Sequence, residues 1–444
     1  MLRCNFIFIR KYLTTALLVL FFIGFHDNSY ASVYFQDEEQ QEINYNSYSG
    51  EILDSDSKKP LVFATLTLEG TNISTVTNTE GTFSLKIPKS TEQGNISISF
   101  LGYKTKIVSL NELRPENNEI LLDIASIELS EVNLTVPKSA EGLVRETLAN
   151  RGDNYLNDPT IMTAFYRETI KKRRKNVSLS EAVVTIYKAP YNTPKRDAIQ
   201  LYKARKSTDY SKLDTVALKL EGGPFNTLYV DIMKYPEYIF TDEDISKYSF
   251  TFDQSTRVND RLIYVVNFEQ HNYINEPLYK GKLYIDSENK LLTSAIYSLN
   301  ITDPDKASKL FVRKKPANAK VWPTDVAYRV DYREKDGRWY YGYSNVLLEF
   351  KINWDDRFFN SVYSMTAEMA ITDWELNTEK ANLKAREKMK SRIILSDEAS
   401  GFSDPEFWGE YNIIEPEKSI ESAIKKIQRQ LKRSRSRGDL TSAF

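Results

Sequence analysis

His26, His271 and Cys4 are the only imidazole and thiol side chains in this 444-residue chain. A hydrolytic zinc site draws its ligands from neutral imidazoles, thiolates and carboxylates at fixed separations. His26 and Cys4 both fall in the N-terminal leader, so one histidine remains and the common zinc sets cannot be assembled. His271, in EQHNYINEP at the end of a strand pattern, reads as a turn histidine. Serine chemistry is equally bare. No G-x-S-x-G elbow occurs, and Ser55 to Lys58 and Ser422 to Lys425 match S-x-x-K without the S-D-N and K-T-G segments that give that pair meaning. Asp54-Ser55-Asp56-Ser57 begins like a calcium loop but lacks its glycine and terminal glutamate, so a solvated turn is expected. Gly222-Gly223-Pro224 has no phosphate-cradling pattern and reads as a sharp turn ahead of a strand, FNTLYVDI.

Carboxylates are not disposed of by counting. A glycosidase needs only two, about 5 to 10 Å apart across a cleft, and sequence spacing does not reveal such a pair. A carboxylate-dependent hydrolase of glycan or peptide therefore stands as the alternative to a protein that binds without catalysis. The expected assignment is no catalytic residue, no metal ligand and no cofactor.

Aromatic residues are the remaining asset: 28 tyrosines and five tryptophans. Tyr328, Tyr332, Trp339, Tyr341 and Tyr343 cluster around one hairpin, together with Tyr340, and are the candidate ligand contacts. Such side chains join a flat apolar body to a polar tip and can grip sugars, peptides or lipid. They are also ordinary strand residues, and packing is the readier explanation.

The elements that position these residues follow a leader. Arg3, Arg10 and Lys11 precede an apolar run from Tyr12 through Phe25, and Ser29-Tyr30-Ala31 supplies small residues for cleavage before Ser32. Residues 1–31 read as a secretory signal peptide, since the run is shorter than the about 20 residues of an uncleaved anchor. Its removal leaves a chain with no thiol, hence no disulfide, held by core burial. It also takes Arg3, Arg10, Lys11 and Asp27, leaving 57 basic and 60 acidic residues. A nearly balanced, exported chain is a poor nucleic-acid partner.

Residues 32–47 read as a flexible leader. From residue 48 to 124, short alternating runs (YSGEIL, FATLTLEG, STVTNT, TFSLKIP, ISISFLGY, KTKIVSL, EILLDI) separated by turn residues predict a seven-stranded sandwich. Thr79-Glu80-Gly81 closes a tight turn there, and Phe83, Leu85 and Ile87 alternate with Thr82, Ser84 and Lys86 as one arm of a hairpin. The succession GEILDSDSKKPLVFATLTLEGT, TVTNTEGTFSLKIP, ISISFLGYKTKIVSL resembles the carboxypeptidase-like regulatory domain, a transthyretin-type β-sandwich found on exported Bacteroidetes proteins. The resemblance implies framework roles for Pro60-Leu61, Gly70-Thr71 and Gly102-Tyr103, none of them catalytic, and a structural or docking role for the module.

A linker at 125–138 leads to a helix pattern in SAEGLVRETLANRGDNY, with Ser139 as N-cap and Leu143, Thr147 and Leu148 near one side. Residues 139–375 form the larger antiparallel β-rich domain. Val326, Tyr328, Val330 and Tyr332 alternate with Ala327, Arg329, Asp331 and Arg333, and Asp336-Gly337 reverses the chain into RWYYGYSNVLLEF. The segments FYRETIKKRRKNVSLSEAVVTIYKAPY, LEGGPFNTL, YKGKLYID and DPEFWGEYNIIEPEKSIESAIKKI resemble the core of a group of Bacteroidetes envelope proteins that carry the regulatory-type sandwich at their N-terminus. In outline, the strand-rich pattern is similar to the open half-barrel of periplasmic lipoprotein carriers.

Residues 376–444 are expected to form a helical C-terminal segment. It ends in an amphipathic helix through Ile420, Ile424, Ile427 and Leu431 and a basic tail, KKIQRQLKRSRSRG. The sequence thus predicts a mainly β, exported protein of the periplasm or outer membrane. It is expected to bind an envelope protein, polysaccharide or lipid, with no nucleic-acid partner and a peripheral contact between the basic tail and an anionic membrane surface.

Overall fold

The computed structural model describes residues 44–125, 137, 139–173, 175–208, 221–258, 261–312, 315, 317–355, 358–401 and 407–418. The signal peptide, most of the leader, the linker apart from residues 125 and 137, Ser422 to Lys425, the amphipathic helix and the basic tail lie outside the described residues.

Alternation of apolar and polar residues builds the first part of the fold. Seven strands, β1 (Tyr45–Asp54), β2 (Thr65–Leu68), β3 (Ser74–Val76), β4 (Thr82–Pro88), β5 (Asn95–Ser99), β6 (Lys106–Ser109) and β7 (Asn118–Leu122), form two sheets. Their orders are β4-β1-β7 and β3-β2-β5-β6. Every second side chain points inward, so Ile52, Leu66, Leu68, Phe83, Leu85, Ile96 and Ile98 share one buried core. The tight turn is present, with Gly81 at φ +73°. The hairpin is not: β3 pairs with β2, and β4 pairs with β1. Asn78 causes the difference, because its Oδ1 accepts from the backbone N of Glu80 and of Thr82 and steers the chain from one sheet into the other.

The second part is one sheet of eleven strands. These are β8 (Thr160–Lys172), β9 (Lys175–Lys188), β10 (Ala198–Thr208), β11 (Tyr248–Val258), β12 (Arg261–Gln270), β13 (Tyr279–Asp286), β14 (Leu292–Leu299), β15 (Ala319–Lys335), β16 (Arg338–Trp354), β17 (Ser361–Leu376) and β18 (Ser400–Gly401). The order is β11-β12-β13-β14-β15-β16-β17-β8-β9-β10-β18, and the sheet does not close into a barrel. The β15–β16 turn is Asp336-Gly337, both at positive φ, as a two-residue hairpin requires.

One face of this sheet wraps an extended core that also takes in the Ala140–Ala149 helix and residues 225–245. The helix is capped as expected, Ser139 Oγ accepting from the N of Gly142 at 2.9 Å. FNTLYVDI, in contrast, is not a strand: Phe225–Leu228 is a short helix, followed by turns closed by local backbone bonds. The physical reason is burial. Residues on both alternating faces of this stretch are enclosed by the sheet, so its backbone polar groups are satisfied locally rather than by a neighbouring strand.

The sandwich lies on the opposite face. Val76 and Phe63 pack there against Phe165, Val183, Tyr343 and Ala370 of the sheet and against Trp408 and Ile414. The expected C-terminal helicity is absent from residues 377–394, which are irregular; Leu395–Glu398 then forms a single helical turn. TEKANLKAREKMKSR offers almost no apolar stripe, and its described residues are largely exposed.

Candidate functional site

Strand alternation gives the sandwich a polar outer face. In β2 and β5, Leu66, Leu68, Ile96 and Ile98 turn inward, which leaves Thr65, Thr67, Ser97 and Ser99 outward. The register sets Thr65 opposite Ser99 and Thr67 opposite Ser97, so four hydroxyls form a ladder. They face β14 and β15 of the large sheet across a cleft of about 460 Å³.

The facing wall carries charge. Arg329, Asp331 and Arg333 leave β15 on the side away from the eleven-stranded sheet's core. Arg329 Nε donates to Asp331 Oδ2 at 2.7 Å, and its guanidinium lies 5.4 Å from the ring of Phe63 and 5.9 Å from that of Phe100. Ser294 Oγ donates to the other oxygen of Asp331 at 2.6 Å.

Arg333 is 8 % exposed. Its Nη1 donates to Ser74 Oγ of the sandwich and, at 2.8 Å, to the carbonyl of Ile371. Its Nε and Nη2 have no hydrogen-bond partner among the described residues. Desolvation lowers the pKa of this guanidinium below the ordinary arginine value. Room for its stem comes from a β-bulge: Asp331 pairs with Tyr343 and Tyr332 with Tyr341, so Gly342 is the extra residue.

The same bulge decides where the candidate aromatics go. Without it, Tyr341 and Tyr343 would share a face. With it, Tyr341 enters the core of the large sheet while Tyr343 turns to the sandwich side, 4.8 Å from the ring of Phe63. Tyr332 is buried and donates to Asp231 Oδ1, and Tyr328 stacks on Tyr297 at 5.0 Å. Of the five, Tyr332 and Trp339 border the cleft, and all but the partly buried Tyr328 are nearly inaccessible.

A second polar centre lies under residues 225–245. Lys188 Nζ donates to Asp197 Oδ2 at 2.8 Å and to Asp231 Oδ2 at 2.7 Å. Tyr191 and Tyr332 donate to Asp231, and Tyr235 donates to Asp197. Burial alone would lower the Lys188 pKa, but the two carboxylates outweigh it and hold the ammonium above the usual lysine value. The two aspartates therefore share a cation rather than a cleft. The nearby apolar void between Val144, Leu148, Ile232, Met233 and Leu292 amounts to about 10 Å³.

The third polar network fastens the sandwich. Arg167, buried on the sandwich side, binds Glu181 at 2.7 Å and donates to the carbonyl of Ile414 at 2.6 Å. Asn412 exchanges two hydrogen bonds with the backbone of Lys86, of 2.7 and 2.9 Å. Residues 407–418 thus sit between sandwich and sheet. His271 stands just after β12, stacked on the exposed Tyr273, and Asp54 is drawn inward by Tyr103 rather than left in solvent. Among the described residues, no group of three or more His, Cys, Asp or Glu is placed to hold a metal ion.

The family model described as the CarboxypepD_reg-like domain matches residues 48–134, which include nearly all of the seven-stranded sandwich. The sandwich is a CarboxypepD_reg-like domain. No curated protein matches the chain. Solved structures similar to it include three from bacteria. One is a domain assigned to outer membrane lipoprotein sorting from Vibrio parahaemolyticus, 12% identical over 56% of this chain and 94% of that one, TM-score 0.24. Another is a DUF1329 family protein from Desulfovibrio piger, 9% identical over 55% and 94%, TM-score 0.23. The third is a LolA superfamily protein from Nitrosomonas europaea, 8% identical over 58% and 100%, TM-score 0.23. The CarboxypepD_reg-like domain supplies one wall of the cleft, and the eleven-stranded sheet supplies the other.

The sequence marks the aromatics of the 326–343 hairpin but not Arg329, Asp331 and Arg333. Their alternation with Val330 and Tyr332 is legible, yet it reads as a solvated face until the sandwich is seen to cover it.

Proposed function

We propose that this chain is a non-catalytic binding protein of the cell envelope and that the cleft between its two domains seats a hydroxyl-rich polymer segment, an envelope polysaccharide. The observation that carries the reading is the hydroxyl ladder of Thr65, Thr67, Ser97 and Ser99 facing the guanidinium groups of Arg329 and Arg333 across about 460 Å³. That volume falls in the roughly 300 to 1,000 Å³ range of ligand pockets. Serine and threonine hydroxyls both donate and accept, as sugar hydroxyls do, and arginine supplies fixed donors. Charges along the walls are nearly balanced, with Arg329, Arg333 and Lys335 against Glu69, Asp331, Glu334 and Asp336, which favours a neutral chain over a polyanion.

Binding without turnover is supported by the engagement of three carboxylates, one on the cleft wall and two in the core. Asp331 is held by Arg329 and Ser294, and Asp197 and Asp231 by Lys188. A lipid seated inside the large sheet is less well supported, because the apolar void there would hold no acyl chain. The leader pattern of residues 1–31 supports an exported location.

Full chain applied to an array of neutral and acidic oligosaccharides tests the proposal. Saturable retention on neutral glycans, little affected by salt, is the expected result. Retention only on polyanions, or shortening of a bound glycan, contradicts it.

A further inference from the structure

Phe358 and Phe359, between β16 and β17, are 102% and 82% exposed, the two most exposed large apolar side chains among the described residues. They stand at one rim of the sheet. In the order β15-β16-β17-β8-β9, Lys320 pairs with Asn353, Ile352 with Ser361, Tyr363 with Lys172, and Lys172 with Lys175. Arg173 N donates to Val362 O at 2.9 Å, which fixes the β8–β9 turn beside the start of β17. Neighbouring strands are about 4.8 Å apart, so these strand ends lie within roughly 20 Å of one another.

The rim is basic as well as apolar. Arg173, Lys175, Lys315 and Lys320 are exposed there, and among the described residues Asp355 is an exposed acid beside them. Leu310, 57% exposed, projects from the Pro304–Phe311 helix, whose Ser308 is bonded to the carbonyl of Val321 in β15.

We propose that this rim docks on an anionic lipid surface, with Phe358 and Phe359 entering the headgroup boundary and the flanking cations meeting lipid phosphates. Aromatic side chains prefer the membrane–water interface, and cations within a Debye length of an anionic leaflet add attraction. Two adjacent, exposed rings can enter a fluid layer without a complementary groove. The contact is separate from the cleft, whose lining includes none of these rim residues.

Flotation of the full chain with phosphatidylglycerol and with phosphatidylcholine vesicles tests the proposal. The chain is expected to float with phosphatidylglycerol and to be released by salt. F358S/F359S should lower the partition about a hundredfold, and R173E/K175E at least tenfold at low salt, with melting temperatures unchanged. F359W should move its emission to the blue on phosphatidylglycerol vesicles. No flotation of the unmodified chain, equal flotation of F358S/F359S, or no shift in F359W would overturn the proposal. So would an absence of flotation in a chain whose Phe-dependent contact is instead a second copy or an envelope protein.

Discussion

Gly342 lies directly beneath the side chain of Arg333: a Cβ added at Gly342 would stand 2.6 Å from Arg333 Cγ and 2.9 Å from its Nε. Contacts that short force one partner to move. Gly342→Ala should push Arg333 off Ser74 and Ile371, loosen the sandwich from the sheet and cost about 1 to 3 kcal/mol. Chemical denaturation is the check, and unchanged stability with unchanged glycan retention would contradict the bulge's assigned role.

Lys188 is the common partner of two buried aspartates. Lys188→Met leaves Asp197 and Asp231 side by side without their cation, which should destabilise the fold by about 3 to 5 kcal/mol. Adding Asp197→Asn and Asp231→Asn to that variant should recover much of the loss, because the unpaired charges then disappear. Equilibrium unfolding of the single and triple variants decides the matter.

Glu168, buried beside Tyr166, should make stability depend on pH. Desolvation pushes its carboxyl up from 4.5 to about 7, against the opposing hydrogen bond from Tyr166. Between those values the native state holds a proton that the unfolded chain has released. Its contribution is therefore largest below about pH 4.5 and falls as pH rises to about 7, by about 3 kcal/mol in all. Glu168→Gln should flatten that slope in a pH series of unfolding curves and be more stable than the parent chain at pH 8.

Asn412 ties the 407–418 segment to β4 by a reciprocal pair of bonds with Lys86. Asn412→Ala leaves the amide N and carbonyl of Lys86 without these partners, at a cost of about 1 to 3 kcal/mol. Hydrogen exchange should speed up at Lys86 and in the adjoining segment, with the interior of the large sheet unaffected.

Much of the architecture can be read from alternation. Phe83, Leu85 and Ile87 announce a half-buried strand, and Asp336-Gly337 announces a hairpin, because each signal is local. What the sequence hides is tertiary. FNTLYVDI has strand-like residues but is enclosed on all sides, so turns replace ladder bonds. Asn78 redirects a strand between sheets by one side chain. The face bearing Arg329, Asp331 and Arg333 has the pattern of a wet surface, and only its contact with a separate domain makes it a cleft. Tyr341 and Tyr343, two residues apart, part company because Gly342 interrupts the period between them.

Calorimetric titration of the unmodified chain and of Thr67→Trp with a glycan selected on the array tests the ligand seat most directly. Thr67 belongs to the sandwich wall, so an indole there fills the cleft without replacing Arg329 or Arg333. Saturable binding by the unmodified chain is expected, with at least a tenfold weaker affinity in Thr67→Trp at equal melting temperature and an intact glycan afterwards. Equal affinity in the two proteins, or cleavage of the glycan by either, would contradict a non-catalytic ligand seat in the cleft.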